Sequence, residues 1–153
     1  MKGHHHESLQ TLAVAVLALP VYDQYGPLAA AGFLTGGLAG TYWLSPDLDL
    51  AGKGSSRAAE NWGPLKVLWY PYGALFRHRH LSHSWILGPL SRLAYLALLV
   101  SPLASYWVPL IRSHPTPFLA ALGGYFLSQW IHSAGDGIWF GIRRKVRRRR
   151  RRA

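Results

Sequence analysis

The chain has 153 residues, which suits a single domain, and half of them are apolar, including seven tryptophans. Its 17 Lys and Arg residues outnumber its 6 Asp and Glu residues, for a formal net charge of +11, but most of the cations follow Gly141. The absence of cysteine excludes disulfides and thiolate metal sites. We therefore expect one domain over residues 1–142, followed by a polybasic tail over 143–153.

Four apolar stretches predict an all-α protein with four helices. The second stretch is rich in glycine, which lets helix backbones approach closely in a membrane. A membrane-spanning helix needs about 20 apolar residues; the first stretch is shorter and the third contains Arg92, so we expect a four-helix membrane bundle with short or imperfect spans. A soluble all-α domain with buried helices is the alternative. The stretches are residues 9–22, 28–44, 82–111 and 118–142.

An aromatic segment, residues 62–76, lies between the second and third stretches. Prolines interrupt it too often for a spanning helix. Because Trp and Tyr concentrate at the headgroup level of a bilayer, we expect an interfacial segment here.

The arginine-rich tail predicts the orientation of the bundle. Cytoplasmic flanks carry an excess of Lys and Arg, so the C-terminus should be cytoplasmic, and four spans place the N-terminus there too. We expect a multi-pass protein of the inner or plasma membrane with its tail on anionic lipid. Nucleic-acid binding by the tail is the weaker alternative.

This topology gathers histidines and acidic residues on one face of the membrane. Imidazole and carboxylate without cysteine form the ligand set of a zinc, manganese or iron site. We therefore expect one metal site at the cytoplasmic face. The candidates there are His6, Asp47, Asp49, His78, His83, His132 and Asp136.

His132 and Asp136 are four residues apart, so a helix places both on one face, about 5–6 Å apart at Cβ. They could share a metal ion, or Asp136 could orient the histidine. Polar groups inside an apolar helix are costly and usually functional. A neutral histidine bonded to a backbone carbonyl is the alternative.

Asp47 and Asp49 follow Ser45 and Pro46 at the end of the second stretch. A helix dipole disfavours carboxylates at this end, so a metal ion or an arginine should compensate them. In an extended chain both side chains point the same way. Asp47 is the stronger ligand candidate because it is nearer the helix, and a solvated loop pair is the alternative.

The densest cluster runs from His78 to Ser84. We predict His78 in a loop, Ser82 as a helix N-cap and His83 in the first helical turn. Arg79 could hold an anionic substrate oxygen. At the N-terminus, one of the three histidines 4–6 could bind metal, with a flexible charged end as the alternative.

Ser-Pro-Asp-Leu-Asp at 45–49 with His-Arg-x-x-Ser-His-Ser at 78–84 resembles a bacterial family of uncharacterised metal-binding membrane proteins. The chain also looks like a compact relative of the membrane-bound metal-dependent hydrolases, up to about residue 140. That resemblance maps the N-terminal histidine of the family onto His6, followed by Glu7, although His5 stands where the family has Thr. It implies metal binding at Asp47, His78, His83, His132 and Asp136.

The leading hypothesis is a metal-dependent hydrolase that acts on a phosphoester such as a lipid head group. Zinc is the first choice, manganese or iron the alternatives, and one or two ions could bind; two ions about 3.5–4 Å apart can clamp a phosphoester. Asp49 or Glu7 could serve as general base, with Arg79 on the substrate. The alternative is a non-catalytic membrane protein with a structural metal site.

Overall fold

The computed structural model describes residues 3–54, 56–76 and 81–150, with side chains described for 7–54, 56–76 and 82–137. Within these ranges the chain is helical and has no strand, which confirms the all-α prediction. The 3-10 turns are Pro46–Leu50, Gly63–Trp69, Leu81–His83 and Ser101–Leu103. The α-helices are α1 (Gly3–Tyr25), α2 (Pro27–Tyr42), α3 (Arg57–Glu60), α4 (Tyr70–Leu75), α5 (Leu87–Val100), α6 (Ala104–Ser113) and α7 (Pro115–Arg150).

Helices α2 and α7 lie side by side and form the centre of the fold. A Cβ added to Gly36 would collide with the backbone of Ala121, and one added to Gly124 would collide with the backbone of Phe33. The glycines of the second apolar stretch therefore allow backbone-to-backbone contact, as their number predicts. We call this contact the α2–α7 seam.

Helix α1 folds back on α2 through a corner at Gly26. This residue has a φ of 82°, a left-handed conformation that glycine adopts without steric cost. Pro27 then supplies the fixed φ of a first helical residue. Beyond the corner, the fully buried Val14 of α1 packs against Gly37 of α2, where any added Cβ would meet it.

The aromatic segment folds into a cluster rather than lying open along one side. Trp69 and Tyr72 are fully buried, and their ring centroids are 5.8 Å apart. Tyr95 of α5 lies against both rings, with its centroid 5.3 Å from that of Trp69. Burial raises the pKa of the Tyr72 phenol, whose oxygen is 2.9 Å from Ser91 Oγ. The cluster thus anchors α5 to the loop that follows α2.

The membrane prediction receives less support than the helical one. Among the described helices, one stretch, Leu87–Ser113, is long and apolar enough to cross a membrane, and a single stretch is a weak sign. Helix α2 has 16 residues, fewer than the roughly 20 that a span requires. The predicted four-helix membrane bundle is therefore not supported.

Candidate metal centre

Asp47 and Asp49 lie in the 3-10 turn Pro46–Leu50, directly after α2. The hydroxyl of Ser45 accepts a hydrogen bond from the Asp47 backbone N–H at 3.4 Å and so begins the turn. Residues two apart in a 3-10 helix diverge by about 120°, because it has about 3 residues per turn. The two carboxylates therefore point to different sides of the turn, whereas in the expected extended chain they would point to the same side. Asp47 is 37% exposed, and Asp49 is fully buried.

His83 ends the 3-10 turn Leu81–His83, four residues before α5 begins. The hydroxyl of Ser84 accepts a hydrogen bond from the Gly88 N–H at 2.7 Å and supports the start of α5. The hydroxyl of Ser82 instead donates to the carboxylate of Asp49. The predicted N-cap role of Ser82 is wrong, because α5 begins at Leu87 and its N-cap position is Ile86. The Ser82 hydroxyl instead satisfies a buried carboxylate.

His132 and Asp136 share one face of α7, as their spacing predicts. His132 Nε2 is 3.9 Å from Asp136 Oδ2. His132 is buried, whereas Asp136 is 30% exposed at its side chain. This helix therefore presents an imidazole from inside the fold and a carboxylate nearer its surface.

These four side chains converge on one point, which we call the metal centre. His83 Nε2 is 3.9 Å from Asp47 Oδ1 and 3.7 Å from Asp136 Oδ2. His132 Nε2 is 3.8 Å from Asp47 Oδ2. One ligand atom from each of Asp47, His83 and His132 lies within 4.8 Å of the other two. The structure therefore brings these four of the predicted site residues together, and their role as metal ligands stays a prediction.

The spacing of these atoms suits a bound cation. Separations of 3.7–3.9 Å exceed the N–H···O hydrogen-bond range of about 2.7–3.2 Å. Ligands bound at about 2.0–2.2 Å in a tetrahedron are about 3.3–3.6 Å apart. A small contraction would thus bring Asp47, His83 and His132 onto one ion, and imidazole with carboxylate suits zinc or manganese.

The metal centre is buried on one side and open on the other. The side chains of His83 and His132 are 11% and 7% exposed. The carboxylates of Asp47 and Asp136 are about three to five times as exposed. The imidazoles therefore form a floor, and the carboxylates form a rim that solvent can reach.

A hydrogen-bonded relay orients His83 from behind. Ser82 Oγ lies 3.1 Å from His83 Nδ1, and the same hydroxyl donates to Asp49. Asp49 Oδ2 is itself 3.7 Å from Nδ1. A proton on Nδ1 is then shared with Ser82, which leaves the Nε2 lone pair directed at the metal centre.

A second polar group fixes this turn to α7 and α2, and we call it the Arg92–Gln129 brace. Arg92, fully buried, donates to the Ser82 carbonyl at 2.8 Å and to Gln129 Oε1 at 2.9 Å. Gln129 in turn donates to the Gly40 carbonyl at 3.0 Å. The brace thus links the His83 turn to both helices of the seam.

Several predicted site residues fall outside the described side chains. His78 and Arg79 lie outside the described residues altogether, and His6 lies in α1 with its side chain outside them. Their roles stay predictions. Glu7 accepts a hydrogen bond from Arg57 Nη1 at 2.5 Å, so this carboxylate, one of the two predicted general bases, is paired with an arginine.

The sequence interpretation missed three residues that support the metal centre. The sequence predicts Ser82 as a helix cap and indicates no role for Arg92 or Gln129. One signal was present, since an arginine inside an apolar stretch is costly unless it is paired and functional. No local pattern identifies Gln129 as its partner, because 37 residues separate the two.

Comparison with known proteins supports metal binding. A family model described as "Uncharacterized metal-binding protein (DUF2227)" matches residues 1–112. The match includes Asp47 and His83 and ends before His132 and Asp136, which is shorter than the resemblance predicted. The chain is 45% identical over 64 residues to an uncharacterized protein of Aquifex aeolicus (strain VF5), covering 42% of this chain and 43% of that protein. It therefore spans less than half of that relative, and no solved structure matches.

Proposed function

This chain belongs to the family of uncharacterized metal-binding proteins (DUF2227), and on that premise we propose that it is a membrane-bound, metal-dependent phosphoester hydrolase. The open rim of the metal centre carries the proposal. Catalytic metal sites use three protein ligands and keep one position open, whereas structural sites are closed. Asp47, His83 and His132 supply three ligands, and the exposure of the rim leaves access on the fourth side.

A divalent ion in this site would supply Lewis acidity and lower the pKa of a water molecule. Zinc is the first choice from the ligand types, with manganese or iron as alternatives. The described centre accommodates one ion. His6 and His78 are proposed as ligands of a second, and Arg79 is proposed to hold a phosphoryl oxygen.

Asp136 has the geometry of a general base. Its Oδ2 is 3.7 Å from His83 Nε2 and 3.9 Å from His132 Nε2, on the solvent side of both rings. There it can accept the proton of a water that attacks phosphorus. Asp49, the base suggested by the sequence, is buried behind His83 and bonded to Ser82, so we propose that it orients the ring.

The test is Asp136→Asn in purified full-length protein, with the exposed Asp23→Asn as matched control. We expect full metal content and a fall of about 10²–10⁴-fold in hydrolysis of bis(p-nitrophenyl) phosphate, because the base is lost and three ligands remain. Asp23→Asn should match the wild type in both. Wild-type protein that binds metal but hydrolyses no phosphoester would contradict the proposal.

A second candidate is a structural ion that fastens the helices together. The observation that favours it is the position of Asp136 Oδ2 near both imidazoles, which would complete a closed set of four ligands. It predicts that Asp136→Asn loses metal as severely as His132→Ala does.

The membrane part of the proposal is supported by apolar side chains on the outside of the helices. Large ones are more than 60% exposed on α1, α5, α6 and α7, and soluble monomers rarely expose wide apolar patches. Examples are Leu12, Leu19, Leu98, Tyr106 and Leu119. We propose cytoplasmic termini, with the arginine tail on anionic lipid. A topology reporter fused after Ala153 should read cytoplasmic, and a periplasmic signal would contradict this orientation.

A further inference from the structure

An apolar cleft separates α2 and α7 from the α5–α6 stretch. Its volume is about 340 Å³, at the lower end of the roughly 300–1,000 Å³ typical of small-molecule sites. Every lining residue is apolar apart from the hydroxyl of Tyr125, which donates to the Pro89 carbonyl at 3.0 Å. An aliphatic ligand in the cleft would therefore leave no polar lining group without a hydrogen bond.

The cleft begins close to the metal centre and runs away from it. Leu44 lines it three residues before Asp47, and Tyr125 lines it seven residues before His132. Seven helical residues rise about 10 Å, which is the separation between Tyr125 and His132 along the axis of α7. At its far end the cleft is lined by Ile111 and Pro115, where α6 meets α7.

The cleft is apolar, whereas a buried arginine and the ligands of the metal centre lie beyond its end. The Arg92–Gln129 brace lies between the level of Tyr125 and that of His132 on α7. Arg92 is fully buried and donates to the Ser82 carbonyl and to Gln129, so its positive charge lies inside the fold. A guanidinium in low-dielectric surroundings beside a cation site complements an anion, while the cleft complements a hydrocarbon chain. The two sites together match one ligand that is anionic at one end and aliphatic at the other.

We propose that the cleft holds the acyl chain of a phosphorylated lipid whose phosphoester lies at the metal centre. This inference rests on the proposed hydrolase function and specifies its substrate class. The volume suits one chain. The apolar wall formed by α5 and α6 belongs to the stretch Leu87–Ser113, which is suited to contact lipid, so a chain could enter from the bilayer.

The experiment compares Leu122→Trp, which fills the cleft, with Leu12→Trp, which adds the same bulk on the outer face of α1. Metal-loaded full-length protein in detergent is titrated with alkylphosphonates of increasing chain length, from methylphosphonate upward. Wild-type affinity should rise by up to about fourfold for each added methylene. Leu122→Trp should flatten that rise and weaken long-chain binding by at least about tenfold, and Leu12→Trp should leave it unchanged.

Two further measurements keep the outcomes distinct. Ala39→Leu, a smaller intrusion into the same cleft, replaces Leu122→Trp should that variant fail to fold. Hydrolysis of bis(p-nitrophenyl) phosphate, which has no chain, should be unchanged in both cleft variants. Binding that depends on chain length, without any hydrolysis, would contradict the hydrolase function but support the binding of an acyl chain in the cleft. Hydrolysis together with binding that does not depend on chain length would contradict acyl-chain binding in the cleft but support the hydrolase function. A chain-length dependence that both cleft variants retain would have the same meaning.

Discussion

The two regions that hold the metal centre in place are built in different ways. Across the α2–α7 seam, glycines bring backbone against backbone, so Asp47 and His132 are positioned by van der Waals contact. The turn that carries His83 is positioned by hydrogen bonds from buried polar groups, chiefly Arg92. An added side-chain atom destabilises the α2–α7 seam, whereas the loss of a hydrogen-bond partner destabilises the turn that carries His83. Substitutions that add atoms and substitutions that remove partners should therefore have separable consequences.

The largest expected effect is in the seam. Gly36→Leu places a side chain where the Ala121 backbone already lies, so the helices must separate. We expect a loss of about 3 kcal/mol or more in the free energy of unfolding. Gly54→Leu is the matched control, because nothing lies within 4 Å of its added Cβ. Thermal unfolding in detergent measures both, and equal melting temperatures would mean that the seam does not limit stability.

The next effect is in the brace. Arg92→Met keeps the volume of the side chain but removes its hydrogen-bond donors. The Ser82 carbonyl and Gln129 Oε1 then stay buried without the hydrogen bonds that Arg92 donates to them. A lost hydrogen bond to a charged group costs about 1.5–3 kcal/mol, so we expect a loss of about 2–3 kcal/mol together with weaker metal binding. Arg112→Met, on an exposed residue, serves as control. A variant as stable as the wild type would show that the brace does not hold the His83 turn.

The smallest effect on stability is in the relay that orients the His83 ring. Ser82→Ala breaks the relay between Asp49 and His83 while the Arg92 bond to the Ser82 backbone remains. Metal affinity should fall by about 10–100-fold, because the imidazole loses its fixed tautomer. Because the buried Asp49 carboxylate also loses this donor, the free energy of unfolding of the metal-free protein should fall by about 1–2 kcal/mol, whereas Ser113→Ala, at an exposed hydroxyl, should leave it nearly unchanged. Competition titration with a chelating dye measures the affinity, and an unchanged affinity would remove the relay from the account.

The sequence predicted which distant residues lie close together better than it predicted the contacts that hold them in place. Hydrophobic runs identify the helices, and the turns that follow α2 and precede α5 bring Asp47 and His83 close to His132, which lies inside α7. The 3-10 turn after α2 was not predicted, because an extended loop satisfies the same serine and proline signals. The bonds of Arg92 were not predictable, since they depend on how α5 and α7 pack.

Within the described helices, the structure gives weak support to one membrane span rather than to four, for a physical reason. Apolar composition alone cannot distinguish a helix that faces lipid from one that faces another helix. Gly36 and Val14 count toward hydrophobicity, yet they lie in helix–helix contacts. Length then becomes decisive, and the 16 residues of α2 are too few for a comfortable span.

X-ray absorption of the purified full-length protein tests the central claim most directly, because it reports the identity of a bound ion and its nearest ligands. We expect one zinc or manganese ion at the described centre, with two imidazole nitrogens and carboxylate oxygen around it. Replacing His83 and His132 together by alanine should remove that signal. A chain that carries no metal, or a metal with no imidazole nearby, would contradict the account.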